Sequence, residues 1–429
     1  MCGISAIIDY ENQFNLTDIN SLLNSINHRG PDSKGYKKID NVYLGMTRLS
    51  IIDLKLGSQP MISNCGNYII VFNGEVYNFN ELRKKLVSLG LLFKSNSDTE
   101  VILNGYKYFK ENILDHLEGM FSFIIYDNIK KEVFAARDRL GKKPLYIYQN
   151  NKSVILCSEV QAINKLLKNK LNIDKQSYWD FLTFRYIPED STSYIEIKKI
   201  PPGNYIKIIN KNIEYHSYWN INKSNKYNNL THDEISTNFS SLFKSSVKKR
   251  LISDVPIGVV LSGGLDSAAV LYEASKDKKI ESYHVMFSDK SIEYNESEYA
   301  KLIANHCNSK LNIIEVDENQ FINSFINISS ITDQPISDLS SIPFKYVCDL
   351  ASRDVKVVLS GEGSDEVLGG YGLENVIINL KRLKLLNKNQ FFSKVIKLFI
   401  NNIFNKNIEI FNDIGVDIDK WAKYKNYNI

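Results

Sequence analysis

Short apolar runs separated by polar turns fill the first half of the chain. Residues 2–9, 43–53, 68–77, 120–127, 132–138 and 153–159 each predict a strand. Only two helical patterns interrupt them, at 78–90 and 97–109, so antiparallel sheets are expected rather than a βαβ repeat. Ser97, with Glu100 three residues on, reads as a capping box for the second helix. Past residue 210 the pattern dissolves into an Asn- and Lys-rich stretch reaching 235. Strand and helix patterns then alternate: strands at 255–262, 282–288, 311–316 and 355–361, helices at 267–275, 297–307 and 341–353. That order predicts a parallel sheet with helices on its faces. The expected organisation is a first domain over 1–210, a linker over 211–235 and a second domain over 236–429.

Composition narrows the classes. The 429 residues suit two or three domains. The net charge of +4 is too mild for a nucleic-acid partner, which wants concentrated basic faces. No apolar run reaches the roughly 20 residues of a membrane helix, and VIKLFINNIF at 395–404 is broken by a lysine and two asparagines. The five cysteines are odd in number, scattered and free of CxxC spacing, which argues against a disulfide framework or a zinc site. The start, MCGISAIIDY, lacks the basic region of a signal peptide. A cytoplasmic protein is expected, and these features are compatible with a homodimer.

Two glycine-rich turns carry the first chemistry. Leu261-Ser262-Gly263-Gly264-Leu265-Asp266-Ser267 lies between a buried strand and a helix, where glycines admit a phosphate and the helix N-terminus offers free N–H groups. The lysine of a GxxxxGK[ST] loop is missing. Ser360-Gly361-Glu362-Gly363-Ser364-Asp365-Glu366 follows another buried strand. If the two strands are neighbours, their loops meet at one sheet edge, where open α/β sheets bind ligands. Several carboxylates in one anion pocket repel one another without a metal, which points to magnesium pyrophosphate. A tight turn and a solvated acidic loop are the ordinary alternatives.

Cys2 carries the second. Removal of the initiator Met would leave its α-amine free to act as base beside its own thiol, as in N-terminal threonine and serine hydrolases. Arg48 in a strand wants a carboxylate, the Asn73 side chain and Gly74 N–H suit an oxyanion hole, and Asp98 suits a substrate ammonium. Singly, these read as a small buried thiol, a surface arginine, a hairpin turn and a helix-capping acid. Together they supply every contact an amino-acid amide needs.

The ordered set MCGI, HRGPD, RLSIID, NGEVYN, SDTE, RDRLGKKPLY, LSGGLDS and SGEGSDE-x-x-GGY resembles the glutamine-hydrolysing asparagine synthetases over residues 1 to about 371. The resemblance implies an α+β first domain, a four-layer αββα Ntn-hydrolase sandwich, followed by an α/β PP-loop domain with a parallel sheet. It implies that Cys2 attacks the glutamine amide while Asn73 and Gly74 hold the oxyanion, and that Arg48, Glu75 and Asp98 hold the amino-acid end. In the second domain it implies ATP contacts from Leu261, Ser262, Gly263, Gly264, Asp266, Ser267, Val285, Ser360 and Gly361, with Mg²⁺ at Asp266 and Asp365. Glu362 resembles the base for ammonia attack on an aspartyl-adenylate, and Lys142 and Lys143 fall in a segment read as structural.

The chain also departs from the family. A later arginine-rich, PFLD-like stretch and a lysine beyond it have no counterpart after Tyr371, so the second domain reads as C-terminally short. Lys381 or Lys384 are the tail's candidates for the missing cation, and Asp338 resembles a segment near the acceptor pocket. Three activities are expected alternatives: asparagine synthesis from glutamine, aspartate and ATP; amidation of another carboxylate, as in surface-polysaccharide synthesis; or glutamine hydrolysis alone.

Overall fold

The computed structural model describes residues 1–168, 170–221, 229–288, 295–330 and 332–371. The tail beyond Tyr371, with Lys381 and Lys384, lies outside the described residues. Among the described residues no helix is long and apolar enough to cross a membrane.

Two six-stranded sheets build the first domain, and every strand pair in them is antiparallel. The first sheet is ordered Ile197–Lys199, Tyr146–Gln149, Ser153–Cys157, Gly3–Asp9, Val42–Arg48, Ser33–Ile39. The second is ordered Asn212–Ser217, Asn204–Ile209, Glu132–Arg137, Gly119–Asp127, Tyr68–Val76, Met61–Ile62. Alternate residues of the central strands face each other: Ile4, Ala6 and Ile8 from one sheet meet Val71, Ile124 and Ala135 from the other. The intervening residues face outward onto helices. Ile7 and Tyr43 pack under Leu16–Ser25 and Val160–Leu166, while Ile70, Phe123 and Phe134 pack under Phe79–Ser88 and Asp98–Phe109. Strands buried on both faces read as continuous apolar runs, and the result is the expected αββα sandwich.

Several local expectations change. The run 43–53 ends as a strand at Arg48, and residues 49–53 form a loop. Asn212–Ser217, expected to fall in the linker, instead pair with Asn204–Ile209 and extend the second sheet. This edge strand, NIEYHS, is left mostly exposed, and its polar residues guard against edge-to-edge association. Ser97 does cap its helix through the Thr99 N–H, but Glu100 turns away. Its carboxylate accepts from the N–H groups of Lys94 and Ser95 and from the Ser95 hydroxyl (2.6 Å), so there is no capping box.

The second domain opens on the helix His232–Arg250, begun by a capping box between Thr231 and Glu234. Its parallel sheet is ordered Leu311–Val316, Glu281–Phe287, Ile257–Val260, Val357–Leu359. The strands preceding the two glycine-rich turns are therefore neighbours, with Ile257 opposite Val357 and Val259 opposite Leu359.

The domains are joined by specific polar contacts. Asp333 accepts from Val160 and Gln161 N–H groups (both 2.9 Å), Asp254 accepts from the Asp53 N–H (2.7 Å), and Lys356 bonds Asp32 (2.6 Å).

Candidate functional site

Cys2 enters the central strand of the first sheet, half-buried, with its thiol directed at the Leu49 carbonyl (3.7 Å). Burial pushes the thiol up, opposed by the nearby terminal amine and Arg48. Its carbonyl accepts from Arg29 Nε (3.0 Å), and Arg29 is fixed in turn by Glu159 (3.1 Å), which also bonds His28 (2.8 Å). The terminal amine on Met1 is depressed to about 6, by burial first and then by the neighbouring cations Lys143 and Arg29.

Asn73 lies within the strand Tyr68–Val76, opposite Ser122. The residue is 1% exposed, yet among the described residues neither its amide nitrogen nor its amide oxygen has a partner. A buried amide left unsatisfied costs about 1–3 kcal/mol, so this one awaits a group that the described residues do not supply. The next residue must be glycine. A Cβ on Gly74 would stand 2.1 Å from the Met120 carbonyl oxygen.

Two carboxylates come next. Glu75 is buried and pushed up to about 7, by desolvation and then by Asp98. Asp98 begins the helix capped by Ser97, accepts the Val76 N–H (3.1 Å), and is raised to about 6 by burial. Arg48 closes the strand Val42–Arg48 and is 7% exposed. Its guanidinium donates to the carbonyls of Ile52 (3.1 Å) and Asp53 (2.8 Å), and it forms no ion pair with a carboxylate among the described residues. Among the described residues the charge is oriented by backbone dipoles alone.

Three further residues contribute, of which only Arg29 stands in a motif read from the sequence as part of the site, HRGPD. Lys143 is buried, its ammonium lies 3.0 Å from Met1 Sδ, and desolvation lowers it while Glu75 opposes the shift. Arg29 anchors Cys2 across a wide sequence gap to Glu159. Gly57 makes room for Arg48, since a Cβ there would be 2.3 Å from Nη2.

In the second domain the turn after Ile257–Val260 folds on itself. The hydroxyls of Ser262 and Ser267 are 2.9 Å apart, and Ser262 Oγ accepts the Gly264 N–H (3.1 Å). Gly263 sits at φ +111° with Glu296 packed against it. The helix Leu265–Asp277 has no side-chain cap, so its first-turn N–H groups, with Asp266, face the sheet edge free of one. Gly361 from the second loop presses on this turn, where a Cβ would be 2.8 Å from both Asp266 Cβ and Ser267 N. The two loops do meet.

Leu261 is buried and its carbonyl accepts from His284 Nδ1 (2.7 Å), while Val285 follows on the next strand and packs with Tyr283. Ser360 directly follows the strand Val357–Leu359 and is half-buried; Glu362 is exposed and Asp365 half-buried. Glu366 accepts from the Tyr371 hydroxyl (2.8 Å). Asp338 is exposed and holds its own turn through Ser340. Asp266 and Asp365 are hard oxygen donors of the kind Mg²⁺ takes, one or two at a time alongside phosphate. Among the described residues there is no cluster of three metal-ligating side chains.

The glutamine amidotransferase domain family matches residues 1–219, and the asparagine synthase family matches 238–398. Asparagine synthetase [glutamine-hydrolyzing] 1 of Bacillus subtilis is 32% identical over 391 residues, covering 89% of this chain and 60% of its own length. The putative asparagine synthetase [glutamine-hydrolyzing] 2 of Methanocaldococcus jannaschii is 33% identical over 397 residues, covering 86% and 76%. The chain thus spans somewhat under two thirds of the Bacillus protein and about three quarters of the archaeal one. Among solved structures, the glutamine phosphoribosylpyrophosphate amidotransferase of B. subtilis aligns at 17% identity with a TM-score of 0.40, over 73% of this chain and 65% of its own. On these matches, the chain belongs to the glutamine-hydrolysing asparagine synthetase family.

Proposed function

We propose that this protein is an ATP-dependent carbon–nitrogen ligase that takes its nitrogen from glutamine and delivers it to the side-chain carboxylate of aspartate. The observation that carries the reading is the buried, unpartnered Asn73 amide in the same domain as a half-buried Cys2 and an Arg48 with no acidic partner among the described residues.

Arg48 would take the glutamine α-carboxylate, and Glu75 with Asp98 its ammonium. The Cys2 thiol gives its proton to the chain's terminal amine and attacks the amide carbon. The amine in this environment is held near 6 and is an unprotonated base at neutral pH. Removal of Met1 would pass that role to the amine of Cys2 itself. Asn73 Nδ2 and the Gly74 N–H would hold the oxyanion. Its collapse expels ammonia and leaves a thioester, which water hydrolyses to glutamate.

The second domain would receive ATP at the meeting of its two loops, with Leu261, Val285, Ser360 and Gly361 around the nucleotide and the 262–267 turn around the phosphates. Asp266 and Asp365 would hold Mg²⁺, whose charge offsets that of the phosphates. The acceptor carboxylate displaces pyrophosphate to give an acyl-adenylate; ammonia attacks it, with Glu362 as base, releasing AMP. Cys2→Ala tests the division of labour: glutamine-driven asparagine formation is lost and ammonia-driven formation persists. Survival of glutamine-driven turnover sinks the nucleophile assignment. Pyrophosphate release that depends on another acid instead of aspartate would reassign the acceptor, and glutamine hydrolysis with no pyrophosphate release would confine the activity to the first domain.

A further inference from the structure

A cavity of about 470 Å³ lies between the two domains, walled by the 138–142 turn and Gly119–Phe121 on one side and by the helix His232–Arg250 on the other. Four cations line it: Arg139, Lys142, Lys249 and Arg250. Its two carboxylates are already engaged. Asp138 accepts four backbone N–H groups, from Phe121, Leu140, Lys142 and Lys143, at 3.0–3.1 Å, and Glu118 is paired with Lys249. Arg139, Lys142 and Arg250 form no ion pair among the described residues. Arg250 is held over the Tyr77 ring (4.6 Å) and by Ser246, so its position is set without an acid, and Arg139 Nε is buried with no partner among the described residues. A cleft lined by one sign of charge focuses its field on an incoming counter-ion.

We propose that this cavity is a binding site for a small oxyanion of the phosphate class, separate from both candidate active sites. Burial and the adjacent Arg250 lower Lys142, a shift that a bound dianion reverses. The wall residues Met120 and Phe121 pair in register with Glu75 and Gly74, so an anion here braces the strand of the glutamine pocket while seating the second domain on the first.

The test is calorimetric titration of the full chain with inorganic phosphate at constant ionic strength. One phosphate per chain is expected, with affinity weakened about tenfold or more in Arg139→Gln and in Lys142→Gln. Lys142→Arg should retain it, and Ser262→Ala, in the turn of the second domain, should leave it unchanged. The Lys142 ammonium has no ion-pair partner to lose among the described residues, so the unfolding midpoint of Lys142→Gln serves as the folding control. Absence of saturable binding below about 10 mM, persistence of binding in the Arg139→Gln/Lys142→Gln double variant, or its loss in Ser262→Ala each overturns the proposal.

Discussion

Arg29 donates from Nε to the carbonyl oxygen of Cys2 at 3.0 Å, and its other arm is tied to Glu159 at 3.1 Å. The thiol-bearing residue is therefore clamped by its backbone, from a turn that precedes the next strand. A charge-assisted hydrogen bond of this kind is worth about 1.5–3 kcal/mol. Arg29→Gln should lower kcat for glutamine hydrolysis by about tenfold to a hundredfold with little change in KM. Glu159→Gln should have a smaller effect in the same direction. Steady-state glutaminase kinetics check both; a change confined to KM would assign Arg29 to substrate binding instead.

Arg48 leads to the opposite kinetic signature. Its guanidinium is fixed by Ile52 and Asp53 carbonyls and lacks an acidic partner among the described residues. Lysine cannot reproduce that fork. Arg48→Lys should raise KM for glutamine at least about tenfold while ammonia-driven synthesis is untouched. Equal loss with both nitrogen donors would mean that Arg48 supports the fold rather than the substrate.

The raised carboxylates make a pH prediction with two opposed signs. Glu75 titrates near 7 and Asp98 near 6, against about 4.5 and 3.8 unperturbed. In the folded apoprotein their neutral forms are favoured, so their stabilising contribution is full below the unfolded values and is lost as pH rises toward 7. Glutamine affinity runs the other way, because an ammonium needs the ionised forms. Thermal unfolding from pH 4.5 to 7.5 should show a falling midpoint that Glu75→Gln flattens. Glutamine binding should tighten over the same interval in the wild type.

Much of this site is legible as residue types at motif positions, because Cys2, Arg48, Asn73 and Asp98 sit in strands, turns and caps that local pattern defines. The groups that close the site are not. The strand Ser33–Ile39 is exposed along most of its length, so its sequence, SKGYKKI, offers no apolar alternation to read. The Arg29–Glu159 pair spans a gap that only tertiary packing bridges. Nothing local distinguishes Lys143 from Lys142, and both read as structural residues. The fold brings one to Met1 beside Cys2 and turns the other toward the cavity with Arg250. Alternation alone predicts the parallel sheet, but its strand order depends on which helices cross over, and only the register of Ile257 against Val357 joins the two loops.

A substitution at Gly361 tests the two proposed half-reactions separately. Gly361 presses on the 262–267 turn so closely that a methyl group would meet Asp266 Cβ and the Ser267 nitrogen at 2.8 Å, the nitrogen belonging to backbone that cannot step aside. Gly361→Ala should therefore push the second loop off the first and widen the proposed ATP site at the 262–267 turn. The first domain has its own core, built from residues remote from this turn, so glutamine hydrolysis should continue at close to the wild-type rate. ATP-dependent pyrophosphate release should fall by about a hundredfold, the cost of misplacing a reacting group by an ångström. Parallel glutaminase and pyrophosphate assays on one preparation of Gly361→Ala decide the matter. Unchanged pyrophosphate release would show that the junction of the loops is packing alone, and that ATP is held elsewhere.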